Sequence, residues 1–182
     1  MRNHYFIAIP LPEPFKEEIH GTLKGTWSSD AFKKWVHPSD YHLTLVFLGD
    51  VAPERLEELL KKLKGTLRSV PPFHLNIDET GIFGQLTQPR IYWLGLQLSE
   101  ALQTLQQEVL ECVKEEGLEV DTKPFKPHIT LARKWNLQAP YGHKSLGLAE
   151  RTFEVSKIFL YQTAPQKEPK YRPINQLLLG DA

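Results

Sequence analysis

The sequence predicts an α+β fold of two pseudo-symmetric lobes. Each is an antiparallel sheet with flanking helices, and a central cleft lies between them. Three observations carry that expectation. Short β-rich apolar runs alternate with amphipathic segments along the whole chain. Sliding the sequence on itself by 86 residues brings one half over the other. A His-x-Thr-x tetrapeptide stands at the same point of both halves, His42-Leu-Thr-Leu and His128-Ile-Thr-Leu.

The elements follow in order. Tyr5 to Ile9 reads as a strand, β-rich and apolar, punctuated by Pro10, Pro12 and Pro14. Phe15, Ile19 and Leu23 recur at helical spacing and predict a helix from about Pro14 to Lys24. Residues 25–40 are polar and irregular despite Trp27, Phe32 and Trp35. Tyr41 to Leu48 is a second strand, stopped by Gly49-Asp50. Pro53 opens a helix whose apolar face is Leu56, Leu59, Leu60, Leu63 and Leu67. Its early acids and late lysines suit the helix dipole and read as a solvated face.

Phe73 to Asp78 is a short strand, and Gly81 to Arg90 reads as a loop. Ile91 to Leu98 is a strand and Glu100 to Glu116 a helix ended by Gly117. His128 to Lys134, Phe153 to Tyr161 and Ile174 to Leu179 are the remaining strands. Residues 164–173, rich in Pro, Lys and Gln, form a long connection. No linker or low-complexity break divides the chain, so residues 1–182 are read as one bilobal domain.

The 86-residue displacement places His128 over His42, Thr130 over Thr44, Leu131 over Leu45 and Pro124 over Pro38. It also places Ile91 to Leu96 over Tyr5 to Pro10.

Composition narrows the function classes. Hydrophobic residues are 41% and charged residues 24%, which excludes disorder and a coiled coil. No apolar run approaches the ~20 residues needed to span a bilayer, and the N-terminal run is too short for a signal peptide. A cytoplasmic monomer without membrane contact is expected. The 22 basic and 22 acidic residues cancel. That argues against gripping long duplex nucleic acid, but leaves room for an RNA end or a small anion. Cys112 is the one cysteine and reads as a packing residue.

The chemistry lies in the two tetrapeptides. On a strand, residues i and i+2 share a face. His42 and Thr44 therefore project together while Leu43 and Leu45 anchor the strand, and the same holds for His128 and Thr130. Two imidazoles suit in-line displacement at phosphorus, one taking a proton and the other giving one. The threonine hydroxyls can hold the non-bridging oxygens where charge grows. No close His/Cys pair suggests a zinc site, and no metal or cofactor is expected.

These residues resemble the two-histidine (2H) phosphoesterase superfamily, and within it the RNA 2′,3′-cyclic phosphodiesterases, also called 2′-5′ RNA ligases. The resemblance covers nearly the whole chain. It rests on Phe6-Ile-Ala-Ile-Pro10, Trp35-Val-His-Pro38, His42-Leu-Thr-Leu-Val-Phe-Leu-Gly49, Gly81-Ile-Phe-Gly84, Ile91-Tyr-Trp-Leu-Gly95 and Pro124-Phe-Lys-Pro-His-Ile-Thr-Leu-Ala-Arg133. The ending from Leu160-Tyr161 to Tyr171 is similar too. Residues 165–170 depart from it, carrying Pro-Gln-Lys-Glu-Pro-Lys where relatives have a glycine-rich turn.

The resemblance implies a cleft lined by both motifs and hydrolysis of an RNA-terminal 2′,3′-cyclic phosphate to a 2′-phosphate. His42 would be the proton donor and His128 the proton acceptor. RNA ends or nucleotides would be the partners, and 2′-5′ joining of tRNA halves would be the reverse chemistry. A binding module without turnover is the competing class. Arg133 matches the family's arginine after the second motif and is a candidate phosphate ligand. Five residues from His128, it falls on the opposite face of a regular strand, so it requires a bulge or a rim position. Phe125 is a candidate base-stacking residue, with packing as the alternative. Lys123, Lys126 and Lys134 stand near the second motif and could steer an RNA end.

Overall fold

The structure is a computed structural model that describes residues 4–180. Nine strands form two antiparallel sheets. In chain order they are β1 (His4–Pro10), β2 (Phe32–Trp35), β3 (His42–Asp50), β4 (Phe73–Gly84), β5 (Pro89–Leu96), β6 (His128–Trp135), β7 (Thr152–Val155), β8 (Lys157–Thr163) and β9 (Tyr171–Leu178). The helices are α1 (Glu13–Thr26), α2 (Pro53–Leu67) and α3 (Glu100–Glu115). One sheet has the order β3-β1-β8-β9, the other β2-β6-β5-β4-β7. The α+β class is as predicted, with one histidine motif opening a strand in each sheet.

Several boundaries differ from the sequence reading: residues 171–173, read as connection, already belong to β9 and pair with β8. Residues 81–84 are not loop but the end of a twelve-residue β4, paired to β5 through Phe83 and Ile91. The run from Phe153 to Tyr161 is two strands. β7 pairs with β4 in the five-stranded sheet and β8 with β1 in the four-stranded sheet, so the chain changes sheets at Ser156. The crossover coincides with a shift of phase in the buried apolar pattern, from Phe153 and Val155 to Ile158 and Leu160 across Ser156-Lys157. Phe32–Trp35, in the stretch read as irregular, is the edge strand β2 against β6.

The helices are also exchanged relative to expectation. α1 follows β1 but packs on the other sheet: Trp27 Nε1 donates to Tyr92 of β5 at 3.1 Å, and Phe15 meets Phe153 of β7. α3 follows β5 but packs on β3, where Gln106 donates to the Leu45 carbonyl. Each sheet is thus covered by the other half's helix. A single main cluster of buried apolar side chains draws on both sheets and all three helices. Leu59, Leu63 and Leu67 of α2 are fully buried in it, each worth about 1.5–3 kcal/mol of burial.

Local chemistry sets the ends. Ser99 accepts the Leu102 N–H and caps α3. Gly117, at φ +73°, closes the same helix: its N–H reaches Lys114 O and that of Leu118 reaches Val113 O.

The two motif strands share a detail that decides where side chains point. β3 is bulged at Leu45, between the pairs Ile7↔Val46 and Ala8↔Thr44. β6 is bulged at Leu131, between Tyr92↔Ala132 and Trp93↔Thr130. The register also corrects the strand alignment. Pro10 and Gly95 oppose the two histidines, so β1 matches β5 at an offset of 85, with one extra residue before the second motif.

Candidate active site

At both tetrapeptides the alternation works as predicted. Leu43, Leu45, Ile129 and Leu131 are buried in the core, while His42, Thr44, His128 and Thr130 are half-buried on the opposite face. β3 and β6 run beside each other where the sheets meet, and the two imidazoles are close enough to act on each other's charge.

Each ring is fixed by its own strand. His42 Nδ1 lies 2.7 Å from the carbonyl of Asp40, and His128 Nδ1 lies 2.7 Å from that of Lys126. A carbonyl only accepts, so Nδ1–H is the donor in both. Nε2 is then the nitrogen available for proton transfer. His42 Nε2 sits 2.9 Å from Thr44 Oγ1, linking the motif's two polar residues.

Aromatic rings wall both sites. Around His42 are Phe6 at 4.9 Å, Tyr171 at 5.1 Å and Tyr161 at 5.9 Å between centroids. Phe6, Ala8 and Tyr161 form a separate small cluster on this face of the four-stranded sheet. Around His128 stand Phe83 at 5.1 Å and Trp93 at 6.2 Å. Gly81 makes room for Trp93, since a Cβ there would stand 2.2 Å from the indole.

Burial pushes the His42 imidazole down to about 4, against the raising effect of the Asp40 carbonyl and carboxylate. His128 and Lys16 lower it further. His128 is also pushed down, first by burial and then by the Arg133 and Lys126 cations, against the raising effect of its carbonyl partner. The neighbouring side chains therefore differ in balance: beside His42 the Asp40 carboxylate outweighs Lys16, while two cations stand beside His128.

The bulge at Leu131 resolves the position of Arg133. Arg133 opposes Ile91, which shares a face with Trp93, and Trp93 opposes Thr130. Arg133 thus returns to the face of Thr130 and stands near enough to His128 to lower it. Phe125 is half-buried. It packs against the main core and also lines a cavity of about 410 Å³ with His128, Phe83, Trp93 and Asp78. Lys126 reaches over the Phe83 ring at 5.7 Å. Lys123 and Lys134 are exposed.

Sequence reasoning missed Asp40, Phe6, Trp93 and Tyr171. Asp40 is buried, and its carboxylate accepts the N–H groups of Lys170 and Tyr171 at 2.9 and 3.1 Å. It thereby ties the β8–β9 connection to the turn that orients His42. Its place two residues before the histidine was the available signal. Tyr171 arrives from 129 residues away, and its signal was its place in the family-like ending. His37 caps the turn before β3 by accepting the Ser39 N–H. Among the described residues no three His, Cys, Asp or Glu side chains gather as metal ligands.

Comparison with known proteins agrees with this geometry. The family model of the 2′-5′ RNA ligase superfamily matches residues 11–167. The chain belongs to that superfamily. It is 42% identical over 176 residues to an RNA 2′,3′-cyclic phosphodiesterase of Geobacillus stearothermophilus, covering 95% of this chain and 56% of that relative. It is 31% identical over 181 residues to an RNA 2′,3′-cyclic phosphodiesterase of Bacillus subtilis (strain 168), covering 99% of this chain and 98% of that one. The fold superposes on E. coli LigT crystallised with 3′-AMP at TM-score 0.85, with 27% identity and both chains fully covered. The fold class, the family and the cyclic phosphodiesterase activity expected from the sequence all agree with these likenesses. Among the described residues no helix is long and apolar enough to cross a membrane.

Proposed function

We propose that the chain hydrolyses the 2′,3′-cyclic phosphate at an RNA end to a 2′-phosphate, with His42 as proton donor and His128 as proton acceptor. The observation that carries this reading is the matched tethering of two imidazoles beside neighbours of opposite charge. Both Nδ1–H groups are held by the carbonyl two residues upstream, so both Nε2 atoms face the chemistry. The Asp40 carboxylate favours a charged His42, and Arg133 and Lys126 favour a neutral His128.

In the reaction, His128 Nε2 takes a proton from water as the water oxygen bonds to phosphorus. The P–O3′ bond breaks, and the departing 3′-oxygen takes the proton from His42 Nε2. Solvent exchange then restores both histidines. Burial favours neutral His42, and a bound phosphate anion offsets that effect and charges it. Thr44 and Thr130 donate to the non-bridging oxygens, and Arg133 neutralises them. The cavity walled by Phe83, Trp93 and Phe125 takes the terminal base. The substrates are RNA ends or nucleotides, as suits a relative of the fold that binds 3′-AMP. With a ribose 5′-hydroxyl replacing water as the nucleophile, the same displacement joins ends by a 2′-5′ linkage.

The test is incubation with a nucleoside 2′,3′-cyclic phosphate in EDTA, with the product isomer identified. The wild type yields the 2′-phosphate at an unchanged rate. Tight binding without turnover would instead identify a binding module. Loss of activity in EDTA would overturn the two-histidine mechanism.

A further inference from the structure

Beside the His42 site the chain gathers positive charge in an unusual way. Lys34 of β2 lies directly opposite Arg133 of β6, a like-charge cross-strand pair of the kind that destabilises a sheet. Lys170 comes from the β8–β9 connection to join them. The three cations and Lys33 line one cavity of about 210 Å³ together with Trp35, Tyr171 and Asp40. Among the described residues no salt bridge engages Lys34, Arg133 or Lys170. Glu168 also lines the cavity, and Asp40 already accepts two backbone N–H groups. Lysine and arginine therefore outnumber carboxylates there. Lys170 is held below the ordinary lysine value, first by the approach of Lys34, then by burial and by Arg133. Cations set against one another this way are relieved by a bound anion.

Three residues of the cavity's lining also act on the catalytic histidines. Tyr171 lines it and also stands 5.1 Å from the His42 ring. Asp40 lines it and holds His42 Nδ1. Arg133 lines it and acts on His128. An anion in this cavity is thus one step along the groove from the reacting phosphorus. Trp35 and Tyr171 supply flat apolar surface of the sort a ribose or base covers.

We propose that the pocket of Lys34 and Lys170, flanked by Arg133 of the reacting site, is a second phosphate subsite, holding the phosphodiester on the 5′ side of the reacting terminal nucleotide. It rests on the phosphodiesterase reading and sharpens it: an oligoribonucleotide end, rather than a mononucleotide, is the preferred substrate.

The experiment compares a diribonucleotide ending in a 2′,3′-cyclic phosphate with the corresponding mononucleoside 2′,3′-cyclic phosphate. The wild type favours the dinucleotide in kcat/KM by about tenfold or more, the scale of one charge-assisted phosphate contact. Lys34→Gln and Lys170→Gln each remove most of that preference and change mononucleotide turnover by no more than about twofold. Each also flattens the salt dependence of the dinucleotide by about 0.7 in log–log slope. Equal kcat/KM for the two substrates in the wild type, or parallel losses on both in the variants, would overturn the subsite. A wild type that turns over neither substrate overturns the phosphodiesterase reading instead. The subsite is then judged by equilibrium binding of the same two nucleotides, where the same lysine-dependent preference is required.

Discussion

His42 and His128 occupy matched backbone and unmatched surroundings. In both halves a carbonyl two residues upstream holds Nδ1, and in both a bulge follows the threonine. The surroundings then part. Asp40 stands where the second half has Lys126, and Phe47 where it has Arg133. His42 lies among Phe6, Tyr161 and Tyr171 and is pushed down to about 4. His128 opens on a cavity of about 410 Å³ lined by Phe83 and Trp93. The difference teaches that repetition of the strand supplies geometry, while the residues outside the motif supply the chemical distinction that acid–base catalysis needs.

The sharpest way to break that comparison is to remove one imidazole at a time. His42→Ala and His128→Ala are each expected to lower kcat by about a hundred- to ten-thousand-fold. If the halves have opposite roles, the two losses differ on a phosphodiester whose leaving group departs without a proton. An aryl phosphodiester restores much of the rate to His42→Ala and little to His128→Ala. Equal rescue of both variants would show that the roles are not divided, and rescue of His128→Ala alone would reverse them.

A smaller effect is expected at the next matched pair. The bulges return Phe47 and Arg133 to the faces of Thr44 and Thr130, so both could reach the cleft. Only Arg133 can hold a phosphate, and Arg133→Gln is expected to lower kcat/KM about ten- to a hundredfold, chiefly through KM. Phe47 is 55% exposed, and Phe47→Ala is expected to stay within about twofold. Steady-state kinetics on a mononucleoside 2′,3′-cyclic phosphate checks both. A comparable loss in the two variants would mean that the halves bind substrate alike.

How much of this was legible in the sequence follows from range. The His-x-Thr-x strands could be read because a period of two and buried x positions are local properties, and Leu43 and Ile129 are indeed fully buried. The helix over Pro53–Leu67 could be read because its leucine stripe is local too. The exchange of α1 and α3 between sheets was hidden, since an apolar stripe does not say which sheet it covers. The change of sheet at Ser156 did leave a local trace, a shift of phase from buried Phe153 and Val155 to buried Ile158 and Leu160 across Ser156-Lys157, which a reading of the run as one strand passes over. The face of Arg133 depended on a bulge that the sequence allowed but could not place. Asp40 and Lys170, 130 residues apart, meet only because the β8–β9 connection folds back over the first motif.

The finest distinction between the halves is the charge two residues before each histidine, and it can be tested by sign alone. The Asp40 carboxylate raises His42, so Asp40→Asn, which keeps an acceptor oxygen, moves the His42 titration lower. Lys126 lowers His128, so Lys126→Met moves that titration higher. Imidazole NMR signals followed against pH read both directly. The same depression sets the pH response of stability. Both histidines are held below about 6.5, the ordinary value, so the unfolded chain takes up their protons first. Stability is therefore full above that pH and falls as pH drops toward about 4, and His42→Asn flattens the fall. Asp40 has a second tie, because its carboxylate also anchors Lys170 and Tyr171 over the site. Loosening that connection admits water to His42 and raises its titration, against the effect of the lost charge. A downward shift in Asp40→Asn shows that the halves are distinguished by charge. An upward shift shows that they are distinguished by enclosure, with Asp40 acting as the clasp.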